Sequence, residues 1–284
     1  MVVLVTGSSG QLGQSLQFIA GNYPDVHFVF RSSSELDITN KANCEAVFSE
    51  INPDYCINAA AYTAVDKAES EPEKAYLINV IGTKNLAEAC QKYSAILLHI
   101  STDFVFDGNK TTPYTESDIP NPTGVYGQTK WDGEKAIQAV FENYFIVRTS
   151  WVYSQFGANF MKTMLRLASE RDSLSVVDDQ IGTPTHAVDL AEALVSIIKT
   201  TVLNPKNDNY GIYNFSNEGQ CSWFDFAQKI FEINKIAIAV TPIPTTSYPT
   251  PAQRPKFSVL DKSKIKNAFG IAIRNWEESL IKTT

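Results

Sequence analysis

Cysteine is scarce in this chain: Cys44, Cys56, Cys90 and Cys221 are the only four among 284 residues, and they lie far apart. That excludes a disulfide framework, and three of the four sit in apolar or helical contexts that mark them as reduced packing residues. Histidine is scarcer still, with His27, His99 and His186 at no ligand spacing, so no zinc site is expected. Basic charge is also missing. Twenty-four Lys and Arg against 31 Asp and Glu leave a formal net charge of −7, and the cations are scattered, which excludes a nucleic-acid footprint. No apolar run approaches the roughly 20 residues of a membrane-spanning helix. The N-terminus begins on a core strand with no charged n-region or cleavage site, and the expected compartment is therefore the cytoplasm.

What is present is enough chain, at 44% hydrophobic residues, for one large α/β domain with a smaller appended region. The organising stretch comes first. Val2-Val3-Leu4-Val5 enters Thr6-Gly7-Ser8-Ser9-Gly10-Gln11-Leu12-Gly13 and then a helical pattern, the arrangement of a buried parallel strand, a tight turn and a helix N-terminus. Glycines there let backbone approach a pyrophosphate, and the unpaired N–H groups of the first helical turn stabilise the anion. The spacing is Gly-x-x-Gly-x-x-Gly, which departs from the Gly-x-Gly-x-x-Gly fingerprint and leaves a ligand-free βα turn as the alternative.

Apolar runs then alternate with helical patterns. A second strand, His27 to Phe30, ends in Arg31 and three serines, with no acidic residue beside the arginine. An acidic residue at this point takes the ribose 2′-hydroxyl of NAD, whereas Arg favours the 2′-phosphate of NADP; the alternative is an exposed arginine at a strand end. Asp37-Ile38 falls where a loop passes the adenine. A third strand, Tyr55 to Ile57, runs into Asn58 and the small residues Ala59, Ala60 and Ala61, then Tyr62 and Thr63, which let a cofactor lie against backbone. One helix is expected from about Glu73 to Tyr93. The fourth strand, Ala95 to Ile100, delivers Ser101, Thr102 and Asp103 to the same edge, where open α/β sheets place their ligands. Strand, helix and strand repeated in this way imply right-handed crossovers and a doubly wound parallel sheet.

Tyr126 and Lys130 open the next helix and share one face. A Tyr four residues before a Lys is weak evidence alone; after a strand ending in Ser-Thr and a glycine-rich phosphate turn it becomes part of a chemical set. Reducing a carbonyl with a nicotinamide needs a proton donor near neutral pH, although free Tyr has a pKa of about 10. An ammonium at Lys130 would lower it, and the Thr102 hydroxyl would orient the carbonyl oxygen. The alternatives are helix packing for Tyr126 and a solvated face for Lys130.

In the second half, Phe145 to Arg148 reads as a fifth core strand, Asn159 to Glu170 as a helix and Leu174 to Val177 as a short strand. Residues 187–200 have helical periodicity and return to the sheet. The expected division is a dinucleotide-binding domain over 1–150, rejoined by 185–215, and a substrate domain over 151–184 and 216–284. The run from Pro242 to Pro255 cannot be a regular helix or a central strand and reads as a wall over the substrate or a plain surface connection.

These residues carry a resemblance. Thr6 to Gly13, Asn58 to Glu69, Ser101 to Gly108, Tyr126 to Lys130 and Arg148 to Tyr153 resemble the extended short-chain dehydrogenase/reductase family, and Asp179 to Thr185 with Tyr248 to Pro255 resemble its branch that reduces 4-keto deoxythymidine-diphosphate sugars. The resemblance implies a Rossmann-like fold with a smaller C-terminal α/β substrate-binding domain. It also implies reduction of the C4 ketone of dTDP-4-dehydro-L-rhamnose by NADPH, with NADH as the second choice, for polysaccharide biosynthesis. Thr102, Tyr126 and Lys130 would be catalytic. Gly7, Gly10, Gln11, Leu12, Arg31, Asp37, Ile38, Ala59 to Thr63, Tyr126 and Lys130 would meet the cofactor, and Val65, Thr102, Asp103, Trp151 and Arg254 the sugar nucleotide. Trp151 would pack on the apolar face of the deoxysugar, with a plug in the core as its alternative. Dehydratases of this fold carry Glu where Phe104 stands, and Phe104 cannot take the proton next to a ketone. The other readings are a nucleotide-sugar epimerase and a non-catalytic NADP-binding subunit, since the regulatory subunit of methionine adenosyltransferase is similar to this family. Some members resemble metal-bridged dimers through glutamates, but the corresponding regions here read Gln14-Ser15 and Val188-Asp189. No metal is carried over, and a homodimer is left open.

Overall fold

In a computed structural model, residues 1–204 and 209–283 are described; residues 205–208 of the returning stretch lie outside them. The first half alternates strand and helix: β1 (Val2–Thr6), α1 (Gln11–Ile19), β2 (His27–Phe30), α2 (Lys41–Ile51), β3 (Tyr55–Asn58), α3 (Val65–Ala68), α4 (Pro72–Tyr76), α5 (Thr83–Tyr93), β4 (Ile96–Thr102), α6 (Val125–Gln138) and β5 (Tyr144–Thr149). After β6 (Val152–Tyr153), α7 (Phe160–Glu170), β7 (Ser173–Val177), β8 (Ile181–Gly182) and β9 (Thr185–His186), the chain returns through α8 (Ala187–Leu203) to β10 (Gly211–Asn214). The rest comprises β11 (Cys221–Ser222), α9 (Trp223–Ile233), β12 (Ala239–Ile243), α10 (Ser263–Phe269) and α11 (Trp276–Thr283).

The central sheet has six strands in the order β10-β5-β4-β3-β1-β2, every neighbouring pair parallel. The middles of its inner strands are apolar because both faces are covered. Alternate residues point to opposite sides: Val3, Val5, Ile57, Leu98 and Val147 join one buried cluster with Leu16 of α1 and Leu194 of α8. Leu4, Cys56, Leu97 and Ile146 join the other, with Phe48 of α2, Leu86 of α5 and Ile137 of α6. The order reverses between β1 and β3, and the crevice outside the carboxyl ends of these strands is where a doubly wound sheet binds its ligand.

The helix expected as one piece from Glu73 to Tyr93 is α4 and α5 joined by a π-helical stretch, Leu77–Gly82. Asn79 within it explains the wide turn: its Oδ1 accepts the Tyr62 N–H at 2.9 Å, and its Nδ2 donates to the Tyr62 carbonyl and the Thr129 hydroxyl. The inserted residue lets one buried amide tie the loop after β3 to α6. A third cluster, including Tyr153, Met161, Leu174, Phe226, Ile230 and Trp276, lies outside the central sheet. Pro242 sits in β12, which pairs only with β7, so its missing N–H costs no second ladder. All four cysteines are free and buried. Among the described residues no helix is long and apolar enough to cross a membrane.

Candidate active site

The glycine turn is built against β3. Gly7 has φ +62°, and a Cβ there would sit 2.7 Å from the Ala60 nitrogen and 2.8 Å from the Ala59 carbonyl. A Cβ on Gly13 would lie 2.5 Å from the Gly7 carbonyl oxygen. Glycine at these two positions thus serves close approach of backbone to backbone, and it holds the N-terminus of α1 at the switch point. Gly10 is the N-cap of α1, and no side chain caps it, so the first N–H groups of the helix are left for an anion. This cradle fits a dinucleotide pyrophosphate. Leu12 is buried in the sheet core. The Gln11 side chain is turned away to the second half of the chain, where its Oε1 accepts the Ser154 hydroxyl at 3.2 Å and the Asn159 amide at 2.9 Å; only its backbone remains at the turn.

Arg31 lies at the end of β2 beside this turn, its carbonyl accepting the Ser8 N–H at 3.1 Å. Its guanidinium is 3.5 Å from Glu50. The expectation of no acidic neighbour is corrected here. Glu35 folds back onto the serine loop, accepting the Ser32 N–H at 2.8 Å and the Ser32 hydroxyl at 2.7 Å. The Ser32 N–H and hydroxyl lower the Glu35 pKa, with the nearby Arg31 charge a smaller cause. The signal for this in the sequence is the spacing Ser32-x-x-Glu35, which lets a turn close the carboxylate onto the serine.

Asp37 is exposed and accepts from the N–H and hydroxyl of Thr39. Ile38 is buried against Gly82. Ala59, Ala60 and Ala61 leave β3 half-buried and Thr63 is exposed. The Tyr62 ring is buried, and its hydroxyl donates to Glu71 at 2.9 Å. Val65 opens α3. Beside it Asp66 takes both terminal nitrogens of Arg254, at 3.1 and 2.8 Å, so the expected sugar-nucleotide arginine reaches the region already paired. That pair pins the proline-rich segment to the rim.

Thr102, Asp103 and Tyr126 are brought together. The Thr102 hydroxyl is buried, donates to Asp103 Oδ1 at 3.0 Å and accepts the Phe104 N–H at 3.2 Å. The same hydroxyl pulls on the Tyr126 phenol. The Phe104 ring meets the Tyr126 ring edge-on, with centroids 5.5 Å apart. Asp103 Oδ2 and the Thr149 hydroxyl, at the ends of β4 and β5, are buried with no hydrogen-bond partner. Burial pushes Asp103 up to about 6 against the pull of the Ser258 and Thr102 hydroxyls.

Lys130 is 2% exposed beneath this group. Its ammonium nitrogen lies 2.6 Å from the Ile100 carbonyl and 3.3 Å from His99 Nε2. Burial pulls its pKa down to about 8, with Glu134 opposing. Burial dominates at Tyr126 and pushes its phenol up to about 12, with the Thr102 hydroxyl pulling it back and the Asp103 charge raising it further. Glu134, one turn beyond Lys130, accepts Arg148 through Nε at 3.0 Å and through NH2 at 2.7 Å.

Trp151 follows β5 with φ +48°. One face of its indole is covered by Trp223, centroids 3.5 Å apart and 9° between planes, and its ring packs so tightly on Gly182 that a Cβ there would come within 2.5 Å. Only the remaining surface is left for a sugar. Asp189, read above as a reduced metal region, is buried and bonded to Arg274, Asn217 and Ser279.

The whole chain, residues 1–284, matches the family described as "RmlD substrate binding domain". It is 43% identical over 284 residues to a dTDP-4-dehydrorhamnose reductase of Aggregatibacter actinomycetemcomitans, covering 98% of this chain and 96% of that one. A crystal structure of a dTDP-4-dehydrorhamnose reductase from Clostridium acetobutylicum superposes with a TM-score of 0.94 at 43% identity, covering 100% of this chain and 98% of that one. One from Bacillus anthracis in complex with NADP gives a TM-score of 0.94 at 41% identity, with 99% and 98% covered. A whole-length family match, together with relatives above 30% identity over nearly all of both chains, places this protein in the RmlD substrate-binding-domain family.

Proposed function

We propose that the chain is an NADPH-dependent reductase of the C4 ketone of dTDP-4-dehydro-L-rhamnose, yielding dTDP-L-rhamnose. The observation that carries this is the meeting of β4, which ends in Thr102, with α6, which carries Tyr126 and Lys130 one turn apart and brings the Lys130 nitrogen to the Ile100 carbonyl, across the switch point from the glycine cradle. The full-length likeness to reductases of that name supports the substrate. We divide the work as read from the sequence: residues 1–150 with 185–215 hold the cofactor, supported by the strands they give to the central sheet. Residues 151–184 and 216–284, supported by the separate third cluster, hold the sugar.

NADPH, when bound, supplies the two reducing electrons, its pyrophosphate held by the Gly7–Gly13 turn and its 2′-phosphate near Arg31. Tyr126, with a phenol that stays protonated at neutral pH, gives its proton to the C4 oxygen, and Thr102 donates a hydrogen bond that orients that oxygen. The charge left on Tyr126 is stabilised by Lys130 as ammonium. Phe104 stands where a dehydratase of this fold carries its carboxylate and cannot itself remove the proton next to the ketone, which supports reduction over elimination.

The test is NADPH consumption with dTDP-4-dehydro-L-rhamnose, with the sugar product identified by NMR. Tyr126→Phe should lower turnover by about 10²-fold or more with an unchanged melting temperature. Near-normal turnover in that variant, or no rhamnose product from the native chain, would defeat the reading.

A further inference from the structure

A row of polar residues runs under the carboxyl end of the sheet, and the strand register makes it. Leu4, Cys56 and Leu97 are direct neighbours across β1, β3 and β4. Two residues further along, on the same face, the neighbours are Thr6, Asn58 and His99. The apolar layer under α5 and α6 thus turns polar where α6 brings down Lys130. Thr6, Asn58, His99 and Lys130 are all at or below 2% exposure, so water cannot complete their hydrogen bonds and each proton must have an assigned place.

The assignment starts from a group with no freedom. The Ala60 backbone N–H can only donate, and it is shared between Asn58 Oδ1 at 3.2 Å and the Thr6 hydroxyl oxygen at 3.3 Å, while the Thr6 hydroxyl itself donates to Asn58 Oδ1 at 2.8 Å. Turning the Asn58 amide over would set two donors against each other. Asn58 Nδ2 therefore faces His99 and donates to Nδ1 at 3.0 Å. A neutral imidazole that accepts at Nδ1 carries its proton at Nε2, and burial keeps His99 neutral by pulling its pKa well below the usual value. That Nε2–H points at Lys130 Nζ, 3.3 Å away, which itself donates to the Ile100 carbonyl. An ammonium has three donors and no acceptor, so the row is satisfied throughout only when Lys130 is an amine.

We infer that His99 is a positioning residue that sets the protonation of Lys130: through its Nε2–H it favours the amine, and Lys130 becomes an ammonium only when the His99 tautomer reverses. The inference rests on the proposed reduction, in which the ammonium stabilises the Tyr126 phenolate, and it names what limits that charge. Around Lys130, Glu134 on α6 favours the ammonium and is itself held by Arg148 on β5. Tyr126 on α6 and Asp103 after β4 stand above it, and His99 on β4 is the neighbour whose proton position opposes the charge. Activity should fall as pH rises through the Lys130 pKa, because the amine cannot stabilise the phenolate. Removing the His99 donor should move that fall to higher pH.

Two measurements test this. The first uses the cofactor-free protein with ¹⁵N-labelled histidine, whose three imidazoles are separable by single substitutions and whose two-bond couplings report the tautomer. At a pH above the Lys130 pKa of about 8, where the amine is the main form, His99 is expected with a bare Nδ1 and a proton on Nε2, and Asn58→Asp, which offers Nδ1 an acceptor, should reverse it. The second is the pH profile of turnover in His99→Phe. Its alkaline limb should move up by about one pH unit, the worth of one neutral hydrogen bond, whereas damage to packing alone would lower turnover at every pH without moving the limb. A proton on Nδ1 of His99 in the native protein, or an unmoved limb in the variant, overturns the inference. Loss of the reductase reading would show instead as no turnover by the native chain, with the tautomer result unaffected.

Discussion

Glu134→Gln keeps the shape of a buried side chain and removes its charge, and the expected cost follows from what surrounds it. Glu134 and Arg148 are 1% and 2% exposed. The carboxylate presents two acceptors to two guanidinium N–H groups, at 3.0 and 2.7 Å, and Oε1 also takes the Ser101 hydroxyl. A glutamine offers one acceptor, so one Arg148 N–H meets an amide N–H and the guanidinium charge is left uncompensated, with Arg148 NH1 already without a partner. Breaking a buried pair in this way costs about 3–5 kcal/mol, which for a chain of this size lowers the melting temperature by roughly 5–8 °C. Arg148→Met alone strands the carboxylate and should cost a similar amount, because methionine keeps packing where the guanidinium lies 5.1 Å from the Phe106 ring centre. The double variant buries no unpaired charge, and its loss should be smaller than that of either single one. Urea melts of the four proteins form a double-mutant cycle. Additive losses would refute the reasoning, since they would mean that each group's desolvation is compensated independently of the other.

Three further outcomes are expected. Glu35→Gln should tighten NADPH by about 5-fold while leaving NADH nearly unchanged, and Arg31→Ala should weaken NADPH by about 10- to 100-fold, because a 2′-phosphate would approach the serine loop between these charges; titration calorimetry with both cofactors decides it. Asp103 titrates near 6 when folded and near 3.9 when unfolded, so the folded state binds the extra proton and native stability should fall by about 2–3 kcal/mol as pH rises from about 4 to 6; Asp103→Asn should remove that slope in melts compared across the range. Trp151→Ala should lose about 2–3 kcal/mol of stability through the lost stack on Trp223 and raise KM for the sugar; a destabilised variant with unaltered sugar kinetics would leave Trp151 with packing alone.

Much of the fold was legible because a doubly wound sheet writes itself locally. Each strand of the first half is an apolar run bounded by turn residues, and most helices have their own periodicity, so β1 to β5 and α1, α6, α7 and α8 fall close to where the residues put them. The π-helical stretch was not legible, because what widens the helix at Asn79 is a bond to Tyr62, seventeen positions earlier. Nor was β10, four residues that become a strand only by lying against β5. The short pairs β6·β9 and β8·β11 are two residues a side, below any length at which alternation can be read.

The site divides along the same line. Thr102, Tyr126 and Lys130 could be named because their chemistry and spacing are carried by short stretches. The charges around the site could not: Glu35 on Ser32 needs a turn to be seen closed, Asp66 on Arg254 spans 188 positions, and Glu134, which bears on Lys130, looks like any carboxylate on the polar side of a helix until β5 places Arg148 against it. His99 shows what signal was available. In Ile96-Leu97-Leu98-His99-Ile100 it is the one ionisable residue inside a run buried on both faces, and a group that expensive to bury is retained where something holds it. Its partners are two strands and one helix away, so only the register that sets Thr6 beside Asn58 and Asn58 beside His99 shows that the strand ends form one hydrogen-bonded row leading to the lysine under the proton donor.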